Sequence, residues 1–397
     1  MSTTPAPSVP SSPLDSPIRI GIATAAVFGG VFVGLGLARF AFAPLQPALV
    51  AHGWFSASTS ALLAAANLAG YLIGALAGAH LARRFSVTSL LRVLMLIVAV
   101  SFFACMDRSL PFVWFFLWRV ASGVGGGAIM ALAGPAVLAH VEASRRALIG
   151  QISLFGVSLG IIVAGALMPV LLTDGIPLVW LALGSLALVA TAITWRMWPP
   201  SPRREAAIIR PRPGQRLFYL QYGLVAMGVV PQMIFLVDYI ARDLGRGVSV
   251  GSSFYLIYGA GAVVGPLMLG LVSGRIGLRP TIRMALVIQF IAVGLLMAAT
   301  GSAVLALSCF LAGLGMPGLL AGFLLRSQQI ADGDLLIHRA LWGKATASFA
   351  TGQALAAFGT VYLIDTYGEH GAAYPVLFAV STAAMAIAIA LDFAIRK

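Results

Sequence analysis

Two arginines, Arg39 and Arg119, stand inside long apolar runs of this chain. A charge in hydrocarbon costs at least about 2.5–3.5 kcal/mol on insertion scales, so each needs a partner or a use. Counting 1.5 Å per residue from the middle of each run, Arg39 lies roughly 6 Å and Arg119 roughly 9 Å to the outer side of centre. Two guanidiniums at one depth are suited to attracting an anionic group. The plainer alternatives are snorkelling of Arg39 to the interface and a structural hydrogen bond from Arg119 to backbone carbonyls. Phe32, Arg39 and Gln46 are spaced by seven and share one helical face, with Gly36 beside it. That aromatic, cationic and amide mixture suits a wet cavity better than lipid, with helix packing as the alternative. Asn67, Gln232, Tyr258 and Gln353 fall within roughly 5 Å of mid-depth. Unpaired amides are costly there, so these side chains are expected to face the bundle interior, as solute contacts or as interhelical glue. Asp238 lies roughly 13 Å outward with Arg242 at i+4, which reads as a local ion pair; proton carriage is the alternative.

What the residues do not offer is equally informative. No Ser-His-Asp, Cys-His or paired-carboxylate arrangement is evident, so an enzyme is not expected. His80, His140 and His338 are isolated and lack metal-ligand spacing. Cys105 and Cys309 sit within apolar runs and read as small hydrophobes. The Gly123-x-Gly125 pair follows no strand, and no phosphate-binding loop of the Gly-x4-Gly-Lys type occurs, so neither a dinucleotide nor ATP is expected. No cofactor is expected.

The elements that must position these groups follow from composition. Of 397 residues, 60% are hydrophobic and 9% charged. A soluble domain needs about 25% charged residues to cover its surface. Apolar runs of helix-spanning length recur along nearly the whole chain. Twelve spans are predicted: 20–50, 57–82, 87–106, 111–139, 147–172 and 176–197, then 217–241, 250–273, 280–300, 303–326, 341–366 and 373–395. Residues 1–17 are Pro- and Ser-rich and predicted disordered. A Pro- and Arg-rich linker, 198–216, separates a first bundle (18–197) from a second (217–397). The formal charge of +13 comes from basic residues scattered in short loops. Nucleic acid is therefore not an expected partner, and the charges instead set orientation. With the N-terminus inside, 20 of 25 Lys and Arg fall on the cytoplasmic side, and only Arg108, Arg242 and Arg246 lie outside. That split predicts both termini in the cytoplasm of a cell (inner) membrane protein. An internal repeat agrees: Gly78-x4-Arg83 matches Gly270-x4-Arg275-Ile-Gly277-Leu-Arg279 at an offset of 192 (from 78 to 270). Gly123-x-Gly125 matches Gly313-x-Gly315 at 190 (from 123 to 313). Two matched six-helix halves are a transporter architecture, with a site near the midplane between them. Ala66, Gly70, Gly74 and Gly78 form a small-residue stripe for close helix approach.

These segments resemble the major facilitator superfamily over residues 18–395. Gly78/Arg83 and Gly270/Arg275/Gly277/Arg279 look like its gating-loop motif, although Ala82 and Gly274 replace the acid and Phe85 a glycine. Arg119-Val-Ala-Ser-Gly123-Val-Gly125 is similar to its fourth-helix motif, whose arginine is implicated in proton coupling. Within the superfamily the chain resembles the YbfB/YjiJ-type group, through Gly34-Leu-Gly-Leu-Ala-Arg39-Phe40, Asn67 to Gly74, Phe235-Leu-Val-Asp238 and Trp342 to Gln353. The antiporter Gly-Pro motif is missing from Gly156-x3-Gly160-x4-Gly165. The resemblance implies an all-α fold of two pseudo-symmetric six-helix bundles. It also implies alternating-access transport of a small solute, with helices 1, 2, 4, 7, 8 and 11 lining the cavity. Gln289, on a peripheral helix, then reads as glue. Proton or ion coupling through Arg119 or Asp238 and a monomeric state are further expectations. Drug or metabolite efflux is the alternative direction, and a non-transporting sensor or scaffold the alternative class.

Overall fold

Hydroxyl caps and glycines divide the chain into helical passes. Ser56 and Ser86 accept the N–H of Thr59 and Ser89, at 3.2 and 3.1 Å, each supplying a partner for a helix start that has none within the helix. Gly175, Gly247 and Gly277 take φ of 100, 82 and 89°, where a side chain would be strained, and reverse the chain between passes.

The computed structural model describes residues 17–138, 141–200, 213–298, 300–332, 334–367 and 373–394. The predicted tail up to 16, linker residues 201–212 and His140 lie outside the described residues. Twelve passes follow in order. Helix α1 runs in three segments, Pro17–Val31, Phe32–Phe40 and Phe42–Ala51. Then come α2 (Ala57–Arg84), α3 (Val87–Phe103), α4 (Phe112–Leu138), α5 (Ala143–Leu171) and α6 (Ile176–Thr194). Helix α7 starts as Pro213–Ile234 and continues through Leu236–Asp238 and Tyr239–Asp243. The rest are α8 (Val248–Ile276), α9 (Leu278–Ala298), α10 (Ser302–Ile330), α11 (Leu335–Tyr367) and α12 (Ala373–Ala394). Among the described residues, eleven passes are long and apolar enough to cross a membrane, and α3, with 17 residues, is the short one. No strand occurs among the described residues. Side chains such as Ile73, Leu117, Ile193, Leu271 and Phe358 are exposed on the outer surface, where lipid would meet them.

The repeat is visible in the packing. In the first bundle a Cβ on Gly123 would collide with the Asn67 carbonyl; in the second, a Cβ on Gly313 would collide with that of Tyr258. Gly70 and Gly74 rest in the same way on Val120 and Val124, as Gly261 and Gly265 do on Phe310 and Leu314. Every counterpart lies 190 or 191 residues on (123 to 313, 67 to 258). Small residues therefore set the α2–α4 and α8–α10 crossings alike, which is how helices adhere where lipid removes the hydrophobic drive.

The two bundles meet along α2 against α11 and α5 against α8. Helices α5 and α8 run antiparallel: Gly165 abuts Leu256, Ser158 Oγ donates to the Ala262 carbonyl at 2.7 Å, and Gly270 faces the Gln151 side chain. We call the face where α1 begins and α12 ends the basic face, and the other the far face.

Candidate functional site

Arg39 sits on the middle segment of α1, a nine-residue π-helical stretch, Phe32–Phe40. The Ala41 N–H reaches back five residues to the Gly36 carbonyl, and Pro44, which has no N–H to give, stands in the first turn of the next segment. Gly36 lies in a bed on α5, where an added Cβ would meet Gly156 O at 2.8 Å and Gly160 Cα at 3.0 Å. The widened turn and the close crossing carry Arg39 inward, leaving it 2% exposed. Its Nη1 donates to Gln353 Oε1 at 3.0 Å, and its face lies 4.0 Å from the Tyr71 ring centre. Snorkelling is not what this side chain does.

Gln353 belongs to α11, so the Arg39 bond crosses between bundles. The chain of contacts continues from there. Gln353 Nε2 lies 3.6 Å from Met233 Sδ, the Met233 carbonyl accepts from Tyr255 Oη at 3.0 Å, and Tyr255 stacks on Tyr258 with centres 5.5 Å apart. Arg39 and Gln353 are thus brought together from the two halves, with Tyr258 linked to them through Tyr255 and Met233. Buried side-chain atoms with no protein partner include Arg39 Nε and Nη2, both amide atoms of Gln46 on the next segment of α1, and the Tyr258 hydroxyl on α8. An unanswered buried donor costs about 1–3 kcal/mol, so the open edge of Arg39 signals a group that takes a ligand or water.

Other expected residues are placed differently. Arg119, 3% exposed, donates Nη1 to the Ala38 carbonyl at 3.0 Å and Nε to that of Leu63 at 3.5 Å, and lies 4.0 Å from the Phe42 ring centre. Its geometry matches the backbone-bonding alternative. Asn67 bonds Ser122 Oγ (2.9 Å) and the Arg119 carbonyl (3.3 Å), inside the first bundle. Gln232 bonds Ser308 Oγ and the Ala292 carbonyl and accepts from Gln289 at 3.1 Å, a polar knot inside the second bundle. Phe32 is buried where α1 passes Gly156. Asp238 is fully buried; Arg242 grips it through Nε and Nη2, both at 2.6 Å, and Tyr374 Oη donates to it. A second π turn, Tyr239–Asp243, follows it directly.

Packing on both sides buries Arg39. On the far side the Phe42–Ala51 segment packs against Leu236–Asp238 and α8. Toward the basic face there is a small cavity of about 30 Å³. It lies between the bundles, lined by Val27 and Val31 of α1, Met130 of α4, Leu154 of α5, Leu324 of α10 and Trp342 of α11. At that face Arg83 and Arg275 are exposed, while Gly78 packs near Ala128.

Sequence reasoning missed one acid. Asp392, fully buried near the end of α12, accepts from Arg326 (2.8 Å), Arg283 (3.0 Å) and Gln221 (3.4 Å), and its carbonyl accepts from Arg279 (2.9 Å). Asp392 lies near the end of the predicted span 373–395, where an acid would ordinarily meet water, yet the fold buries it. Arg279, Arg283 and Arg326, counted among the cytoplasmic-side cations, turn inward because the fold sets Asp392 beside them. Tyr71, Met233 and Tyr255 were also missed. Tyr71 lies one turn after Asn67 and was open to the spacing argument.

The profile of a family described as uncharacterised MFS-type transporter YbfB matches residues 31–393. None of the curated proteins matches the chain in sequence. Two solved structures are similar in fold. A mutant of the nucleoside transporter NupG is 12% identical, with a TM-score of 0.70 over 94% of this chain and 100% of that one. A bacterial homologue of the human lysosomal transporter Spinster, in an inward-facing and unoccupied conformation, is 15% identical, with a TM-score of 0.66 over 96% of each chain.

Proposed function

The chain belongs to this family of MFS-type transporters, and from that premise we propose that it is a secondary carrier of a small organic solute, preferentially an anion, working by alternating access. The observation that supports the reading most is the Arg39–Gln353 bond. It joins a buried cation on one bundle to an amide on the other, at the depth where such carriers hold their solutes. Phe32, Arg39, Gln46, Tyr258 and Gln353 form the solute pocket in this reading, and Asn67, Arg119 and Gln232 brace it from within their own bundles. The basic face lies in the cytoplasm of a cell (inner) membrane protein that works as a monomer. The Gly78/Arg83 and Gly270/Arg275/Gly277/Arg279 segments gate that face. An ion or proton gradient drives the cycle, with Asp238 and Arg119 as the coupling candidates.

Reconstitution tests the proposal. In sealed proteoliposomes, radiolabelled organic anions are taken up by the native chain, and Arg39→Ala and Arg119→Ala lower the apparent anion affinity. Unchanged affinity in both variants defeats the anion preference. Solute binding without flux defeats the carrier.

A further inference from the structure

The side edge of an arginine, where Nε–H and an Nη2–H run parallel, matches a carboxylate in a two-point bond. Arg242 uses that edge on Asp238, with both distances 2.6 Å. Arg39 presents the same edge, buried, and no protein atom answers either nitrogen. Its orientation is fixed, because Gln353 holds Nη1 and Tyr71 covers its face. Arg119 is engaged differently, its Nε and Nη1 serving two backbone carbonyls and its face lying over Phe42. One cation with an open, carboxylate-shaped edge matches one negative charge. A second charge, taken out of water, would lack an equivalent partner. Gln46, on the next segment of α1, and Tyr258, on α8, are also buried with unanswered side-chain atoms.

We propose that the solute is a monocarboxylate, gripped in the plane of Arg39 by Nε and Nη2. The proposal rests on the carrier reading and narrows it: dicarboxylates, phosphate monoesters and neutral solutes are not held at this edge. Gln353 is a positioning residue, since it sets the plane of the guanidinium without occupying the edge.

The test is a binding and melting screen on the purified full chain, using short-chain and aromatic monocarboxylic acids. Each acid is paired with its primary amide, and dicarboxylic acids and nucleosides are run alongside. At least one monoacid binds and raises the melting temperature, and its amide binds about 100-fold more weakly, as expected when a charged two-point bond is lost. Arg39→Lys keeps the charge, removes the fork and weakens that acid about tenfold or more. Gln353→Glu supplies an internal carboxylate, raises the melting temperature without solute and abolishes acid binding. An amide or nucleoside held as tightly as any acid, or a preferred diacid, overturns the carboxylate assignment and leaves the carrier standing. Acid binding with no flux in sealed vesicles overturns the carrier instead. Should Arg39→Lys fail to fold, the acid–amide comparison on the native chain and Gln353→Glu decide the matter.

Discussion

Asp238 has no exposed surface, and the Arg242 side chain that grips it is 13% exposed. Removing one partner of such a pair leaves an uncompensated charge, at a cost of about 3–5 kcal/mol. Asp238→Ala is therefore expected to lower the melting temperature of the purified protein strongly, and Tyr374→Phe, which removes one neutral donor, to lower it less. Equal losses in the two variants would contradict the pair. This feature was legible in the sequence because its partners are four residues apart. Asp392 was not. Its partner arginines come 66 and 109 residues earlier in the chain, and nothing local marks them as other than cytoplasmic-side cations. Arg39 was legible as a buried charge, but its Gln353 partner, 314 residues away, was visible only as another mid-depth polar group.

Helices were the easiest elements to read, since apolar runs of spanning length reveal themselves by composition. Their interruptions were not. The π segment of α1 depends on the Gly36 crossing with α5 and on Arg119 reaching the Ala38 carbonyl, both set by tertiary packing. The glycine pattern was readable as a repeat, yet which carbonyl each glycine meets required the fold. Gly313 rests on the Tyr258 carbonyl, so Gly313→Ala forces α8 from α10 and is expected to cost about 1–3 kcal/mol. Gly294→Ala, with nothing within 4 Å of the added methyl, is expected to leave the melting temperature unchanged or slightly raised. Comparing the two variants by thermal melting checks the assignment, and an equal effect at both sites would contradict it.

At the scale of the whole molecule, the two bundles are joined at Arg39–Gln353 and along α5–α8, where Gly270 faces Gln151. A short, reducible cross-linker between cysteines at 151 and 270, with Cys105 and Cys309 replaced, is expected to stop flux until it is reduced. Flux that continues through the cross-link would contradict gating at this seam. The two-bundle plan was legible from the repeat and the charge asymmetry. The burial of Arg39 was not, because composition tells which faces are polar and not how they pack. The most direct measurement is a pair of spin-label distances across α5 and α8, taken with and without a bound monocarboxylate in lipid nanodiscs. One pair joins 145 to 275 on the basic face, the other 174 to 250 on the far face. Alternating access predicts that one distance lengthens as the other shortens. Two distances that stay fixed, or that lengthen together, would contradict it.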